Sequence, residues 1–520
     1  MKFKQSIPGA NRPATEPGSP FPQWLHARAV PYCLYLLIAA LFWLPYSRQV
    51  NADGISYLSI AAEYAGGHWR TAVNTYWSPL FSWLLALGMA AGVPGALFAR
   101  LLLIMSGLLG LRALRRLLTV LNLQGNVAAM TMITAVPMFC YFAFHDVTPD
   151  VLVVALLLAY LGITCAPEAS APQWLCAGIL GGLLYFAKAY CFPFVIAHLL
   201  VTTVIRVFAA AEAAARKRQV AGGVLAIATV ILVSAPWLVL ISMKAGRLTL
   251  STAGAYNFKL ALIGKSGHPM LSQGLFAPPN PYAVSIWEEP DTMPLHTPAA
   301  SLSARVSAVI RNLADFTRYE LWTSVFFPLI VALFAYSVVK RWRAGTKEAA
   351  AACLLAMYVL YPAAYFLTFV EHRYIWIEDV LTLVMAAYLF DCFRREQPGR
   401  PRRVAWLAFV TALSFCWAPL FVLFKHRTDL RSVSDLVPVL RLLHLHGNVA
   451  SNGRWDDSQY LAYELRLRYY GMPSDDTGQL TRENVRYVFA WRNQERHRPH
   501  PDGRELFRSG VLDVYAIATK

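Results

Sequence analysis

The side chains able to do chemistry fall in a few short stretches. Asp53 stands in Asn51-Ala52-Asp53-Gly54-Ile55-Ser56-Tyr57, just beyond the first long apolar run. Asp150 closes Thr148-Pro149-Asp150, next to His145 and Asp146. Lys188 ends a glycine-rich apolar run, and Glu371-His372-Arg373-Tyr374 separates two later runs. His68, Trp69 and Arg70 follow Asp53 in the same loop. A carboxylate can take a proton from a hydroxyl or amine. Cations beside lipid suit a phosphate at headgroup level, Arg gripping it bidentately and Lys acting as a point charge. Each stretch also has a plain structural reading. Asp53 fits a helix N-cap, although Ser56 three residues on gives no capping box. Thr148-Pro149-Asp150 fits a helix start, with a capping Thr, Pro at N1 and an acid in the first turn. Lys188 fits a snorkelling lysine, the charged quartet an interfacial anchor, and His68 to Arg70 a solvated loop.

The elements that must position these groups are membrane helices. Of 520 residues, 57% are hydrophobic and 15% charged, too apolar for an ordinary soluble domain. Apolar runs of about 20 residues recur, the length that crosses a bilayer core. The net charge is +17. A nucleic-acid partner would need that charge on one face; instead Lys and Arg sit in short loops between apolar runs, which makes them a topology signal. The eight cysteines lie in or beside apolar runs, so no disulfide framework is expected. Clear spans read at 30–47, 97–118, 126–145, 149–166, 173–188, 190–210, 219–243, 321–340, 348–370, 374–393 and 403–424. Residues 79–93 are apolar but short. If they do not cross, the basic clusters at Arg112/Arg115/Arg116, Arg216/Lys217/Arg218, Lys340/Arg341/Arg343 and Arg394/Arg395/Arg402/Arg403 all fall inside; if they cross, all fall outside. The positive-inside rule selects eleven spans and makes 79–93 a juxtamembrane or re-entrant helix.

This reading divides the chain into a basic cytoplasmic tail (1–29), a transmembrane domain (30–424) with outer loops 48–96 and 244–320, and a periplasmic C-terminal α/β domain (425–520). The 244–320 loop is rich in Pro, Gly and aromatics, and a loop of that length is usually functional. Gly264-Lys265-Ser266 resembles the end of a P-loop, but Lys259 stands where its first glycine belongs. In the tail, Val449 to Ser451, Val485 to Trp491 and Val511 to Ala516 read as strands, and Asp456 to Tyr469 as a helix.

The order of these elements resembles the GT-C fold integral-membrane glycosyltransferases, in particular the protein O-mannosyltransferase and bacterial aminoarabinose transferase family. The resemblance rests on Asp53 to Tyr57, Tyr76-Trp77-Ser78-Pro79-Leu80, Arg100-Leu101, Thr148-Pro149-Asp150, the glycine-rich run from Gly178 to Lys188, and Glu371 to Tyr374. It implies transfer of a sugar from a polyprenyl-phosphate donor to a lipid, glycan or protein acceptor. The site would face the periplasm of a bacterial inner membrane. Asp53 then matches the catalytic carboxylate and Asp150 the second one. Lys188, Arg373, His372, Arg70, Tyr57 and Arg100 become candidates for donor phosphate or substrate. No cofactor is required, a divalent cation remains open, and membrane lipids but no nucleic acid are partners. Two departures stand out: Gly54 replaces an acidic residue, and Ser78 precedes the proline where several members carry lysine. A phosphate leaving group needs no general acid, so one base suffices, unlike the carboxyl pair of a glycoside hydrolase. The alternative is a transporter or flippase of a lipid-linked saccharide; the lack of an internal repeat argues against it.

Overall fold

The structure is a computed structural model that describes residues 28–123, 125–263, 274–295, 301–346, 348–396, 401–473, 478–492 and 503–517. Most of the N-terminal tail and the Gly264-Lys265-Ser266 stretch lie outside these residues.

A helix occupies each of the eleven expected spans. Among the described residues, six helices are long and apolar enough to cross a membrane, and a seventh span results if one bent pair counts as one. Val30–Tyr46, Asp150–Thr164 and Ala171–Ala187 are apolar but only 15 to 17 residues long, about 22–26 Å at the α-helical rise. The protein is a multi-pass, all-α membrane protein carrying a small α/β unit near its C-terminus. Pro79–Ala90 forms a 12-residue helix. At about 18 Å it falls well short of a bilayer core. It packs against Ala52–Ala65 instead, where the Ser82 hydroxyl donates to the Tyr57 carbonyl at 3.1 Å.

The glycine-rich run has a packing reason. A Cβ on Gly178 would meet the Ala226 carbonyl at 2.6 Å, one on Gly181 would meet Val230 at 2.7 Å, and one on Gly182 would meet Val233 at 2.4 Å. Ala171–Ala187 and Ala213–Ala245 therefore pack in close contact, as small residues allow between membrane helices. Lys188 caps the first of these two helices in an extended conformation.

The 244–320 segment is more structured than its composition suggests. It holds a helix at Ala253–Ile263 and, from Leu302 to Thr323, a 22-residue amphipathic helix. The second bends by 98° into Phe327–Arg343, so the expected span at 321–340 starts several residues late. Between the two helices, residues 274–295 form a strap. Gly274 and Leu275 pair antiparallel with Met472 and Gly471, and the Val284 carbonyl accepts from the Tyr469 amide at 2.7 Å. The strap thus ties the membrane body to the C-terminal unit.

That unit is a five-stranded sheet. Its order is Arg468–Tyr469, Asn448–Ser451, Val485–Trp491, Leu512–Ala516, Arg504–Arg508; the first three strands are parallel and the last two antiparallel to their neighbours. Three expected strands are present, and Arg468–Tyr469 and Arg504–Arg508 are additional ones. The expected helix to Tyr469 stops at Leu465, because Arg466 turns left-handed (φ 56°) and the Leu467 amide folds back to the Ala462 carbonyl. Tyr469 enters the sheet, its hydroxyl 2.8 Å from Ser451 Oγ.

The strap is seated on Ala52–Ala65 through two buried carboxyls, Glu288 and Glu63. Glu288 accepts from the Val284 amide at 2.8 Å, and Glu63 accepts from Asn280 at 3.1 Å. Burial raises the Glu288 pKa well above its ordinary range, and the neighbouring Glu63 adds to that against a hydrogen bond from Ser59. A raised folded-state pKa gives stability present below about pH 4.5 and lost as pH rises through the folded value. Glu288→Gln should therefore gain on the wild type, in melting temperature followed by intrinsic fluorescence, as pH rises from 4.5 toward 8. A constant difference across that range would show that Glu288 is not the source.

Candidate functional site

Asp53 is not the N-cap. Asn51 takes that position, and its side-chain oxygen accepts from the Val147 amide at 3.0 Å, tying the start of this helix to the loop before Asp150. Asp53 occupies the second helical position. Its Oδ1 accepts from the Trp287 indole at 2.8 Å, and its Oδ2 meets the Arg373 guanidinium at 2.5 Å. Arg373 also grips Glu371 through Nε at 2.8 Å. Burial works against the Arg373 charge, but Asp53 and Glu371 hold its pKa well above the ordinary value, so the cation is permanent.

Asp150 sits at the first turn of Asp150–Thr164. Lys188 Nζ lies 2.5 Å from its Oδ1, and the Thr148 hydroxyl donates to its Oδ2 at 2.7 Å. Thr148 thus holds the carboxylate rather than capping the helix. Lys188 also lies 3.8 Å from the centre of the Tyr374 ring, a cation–π contact. Both carboxylates are therefore paired with cations from elsewhere in the chain, which is how a buried charge avoids its desolvation cost.

Two cavities meet at this point. The smaller, about 350 Å³, is lined by Asp53, Asp150, Lys188, Arg373, Tyr57 and Tyr365 among others. The larger, about 810 Å³, is lined by Asp53, Glu371, His372, Arg373, Trp287 and Trp455 among others. Asp53, Tyr76, Trp77, Asn257, Arg373 and Tyr374 belong to both linings. Tyr57 stays a neutral phenol, since burial and the charges of Asp150 and Asp53 raise its pKa.

The other sequence candidates divide. His372 lines the larger cavity with Nε2 at 2.9 Å from Asp379 and Nδ1 at 3.3 Å from the Tyr141 hydroxyl. Arg100 lines neither cavity. It is buried in the helix core, where it donates to the Ala143 carbonyl at 2.7 Å and the Gln49 carbonyl at 2.9 Å. It fastens the chain leading into Asp53 and is placed away from any substrate. Arg70 is solvent-exposed and outside both linings; its neighbour His68 stacks on Tyr282 with ring centres 3.7 Å apart. Trp287 is the main group that sequence reading left without a role. Its proline-rich surroundings mark a functional loop, but nothing local signals a hydrogen bond to a residue 234 positions away. Gly54 also gains a reason. A Cβ there would stand 2.7 Å from Val147 Cβ and 2.8 Å from its carbonyl oxygen, so an acidic side chain does not fit.

Among the described residues no group of three or more His, Cys, Asp or Glu side chains is arranged to hold a metal ion. Asp53 and Asp150 direct their oxygens to Arg373, Trp287, Lys188 and Thr148, a donor set that suits cations already built into the chain.

No family model matches this sequence, and no curated protein matches it. Solved structures do match in fold. ArnT from Cupriavidus metallidurans bound to undecaprenyl phosphate superposes with a TM-score of 0.57 at 15% identity, over 94% of this chain and 98% of that one. The Archaeoglobus fulgidus oligosaccharyltransferase in complex with Zn and sulfate gives 0.55 at 12% identity, over 88% and 68%. The archaeal oligosaccharyltransferase AglB from the same organism, with an inhibitory peptide and a dolichol-phosphate, gives 0.51 at 10% identity, over 89% and 70%. The fold is that of the GT-C membrane glycosyltransferases.

Two substitutions test these placements. Arg100→Met should lower the melting temperature, since the buried Ala143 carbonyl loses its donor at about 1–3 kcal/mol and the half-buried Gln49 carbonyl loses one too; an unchanged melting temperature would contradict the fastening role. Gly54→Ala should destabilise by about 1–3 kcal/mol through overpacking against the Val147 backbone, and wild-type melting behaviour would mean that the contact relaxes freely.

Proposed function

We propose that the protein is a membrane glycosyltransferase that moves a sugar from a polyprenyl-phosphate donor to an acceptor on the periplasmic face of a bacterial inner membrane. The observation that carries this reading is the position of Asp53 in the walls of both cavities, beside the paired cations Arg373 and Lys188. A donor in the smaller cavity and an acceptor in the larger one would meet at that carboxylate. The likeness in fold to structures holding undecaprenyl phosphate and dolichol-phosphate supports the donor class.

In this mechanism Asp53 takes the proton from the acceptor hydroxyl or amine. The acceptor atom attacks the anomeric carbon from the face opposite the phosphate, the bond from that carbon to the phosphate oxygen breaks, and the lipid phosphate leaves. The configuration inverts. Among the described residues Arg373 Nη1 has no hydrogen-bond partner, and Lys188 uses one hydrogen bond on Asp150. Both therefore retain donors for the departing phosphate, where preorganised charge acts most strongly. Trp287 and Arg373 fix the Asp53 carboxylate in place. Asp150 holds Lys188 and lines the smaller cavity alone, whereas Asp53 lines both, which suits a supporting role for Asp150.

Transfer from a radiolabelled polyprenyl-phosphate sugar into cell-envelope extract tests the assignment. Asp53→Asn should lose about 10²-fold or more, the worth of a general base. Asp150→Asn should lose less. Full activity of Asp53→Asn would refute the base assignment, and a larger loss in Asp150→Asn would exchange the two roles.

A further inference from the structure

The larger cavity has a composition that selects among acceptors. Its walls carry Trp287 and Trp455, ring centres 5.4 Å apart at 57°, together with Trp77 and Trp322. Indole faces pack against the C–H faces of sugar rings and attract cationic groups. Five carboxylates line the same space, Asp53, Asp146, Glu371, Asp456 and Asp457, against two arginines, Arg318 and Arg373. Carboxylates accept hydrogen bonds from hydroxyl and ammonium groups. The surplus is negative although the whole chain carries +17.

One element supplies two of the five carboxylates. The helix Trp455–Leu465 of the C-terminal unit brings its first turn to the cavity. A bare helix N-terminus favours anions. Here Asp456 and Asp457 fill that turn, and among the described residues Asp457 alone of the two is offset, by Arg454 at 2.5 Å. The end that would attract a phosphate or carboxylate thus presents negative charge.

We propose that the larger cavity is the acceptor site and takes a carbohydrate without anionic groups, uncharged or amine-bearing, with its rings against Trp287 and Trp455. The assignment to the acceptor rests on the transfer reading above; the ligand class rests on the cavity walls.

The test needs no donor. Saturation-transfer NMR on the full chain in neutral-lipid nanodiscs would use three trisaccharides: chitotriose, its N-acetylated form and trigalacturonate. The first two should show contact and the anionic third none. Trp455→Ala should weaken contact roughly tenfold or more, as loss of an aromatic anchor does, while Trp455→Tyr retains most of it. Asp456→Lys should admit trigalacturonate, a gain that misfolding does not produce. The proposal falls if trigalacturonate binds the wild type as well as the others, if neither non-anionic sugar binds, or if Trp455→Ala binds unchanged. A transfer-competent Asp53→Asn enzyme would sink the mechanism and leave these binding results standing.

Discussion

The ion pair between Asp53 and Arg373 is the contact on which the rest of the site depends. It joins residues 320 positions apart at 2.5 Å, both largely buried. A charge taken out of water is costly unless an opposite charge is held beside it. Arg373 supplies the cation, and Glu371 and Asp53 together keep it charged. The pair Asp150–Lys188 repeats the solution at the neighbouring helix ends, and the Tyr374 ring lies against both cations. The two pairs leave the smaller cavity close to neutral while concentrating charged groups within it.

Several elements serve mainly to hold this arrangement. Asn51 binds the first outer helix to the loop before Asp150, and Arg100 fastens the segment that leads into it. The close glycine contact between Ala171–Ala187 and Ala213–Ala245 fixes where Lys188 emerges. The strap over residues 274–295 delivers Trp287 to Asp53 and is itself seated by Glu63, Glu288 and the edge of the C-terminal sheet. The C-terminal unit is therefore coupled to the carboxylate through continuous contacts, and the same unit contributes Trp455 to the larger cavity.

The membrane body was legible in the sequence because a bilayer imposes a length and a polarity that no tertiary contact overrides. Basic residues favoured eleven spans over twelve, and the 12-residue Pro79–Ala90 helix is indeed too short to cross. The amphipathic helix at Leu302–Thr323 escaped that logic. Its residues alternate between a buried face and exposed charge, so it reads as a loop unless its 3.6-residue period is followed. The strands at Arg468–Tyr469 and Arg504–Arg508 escaped because each is short and acquires its identity only from the strand beside it.

Among the chemical groups, residue type and position selected Asp53, Asp150, Lys188 and Arg373 together with His372, Arg70, Tyr57 and Arg100, since few ionisable residues stand at the outer ends of the apolar runs. Partnership was not legible. Nothing near Asp53 in the chain indicates Arg373 or Trp287, and nothing near Arg100 distinguishes a buried fastener from a phosphate ligand. Sequence by itself determined the solvent and the charges available. The tertiary structure decided which charges neutralise each other, which lie outside the cavities, and that one carboxylate lies between two of them. Such pairings depend on distances between segments hundreds of residues apart, and local sequence carries no term for them.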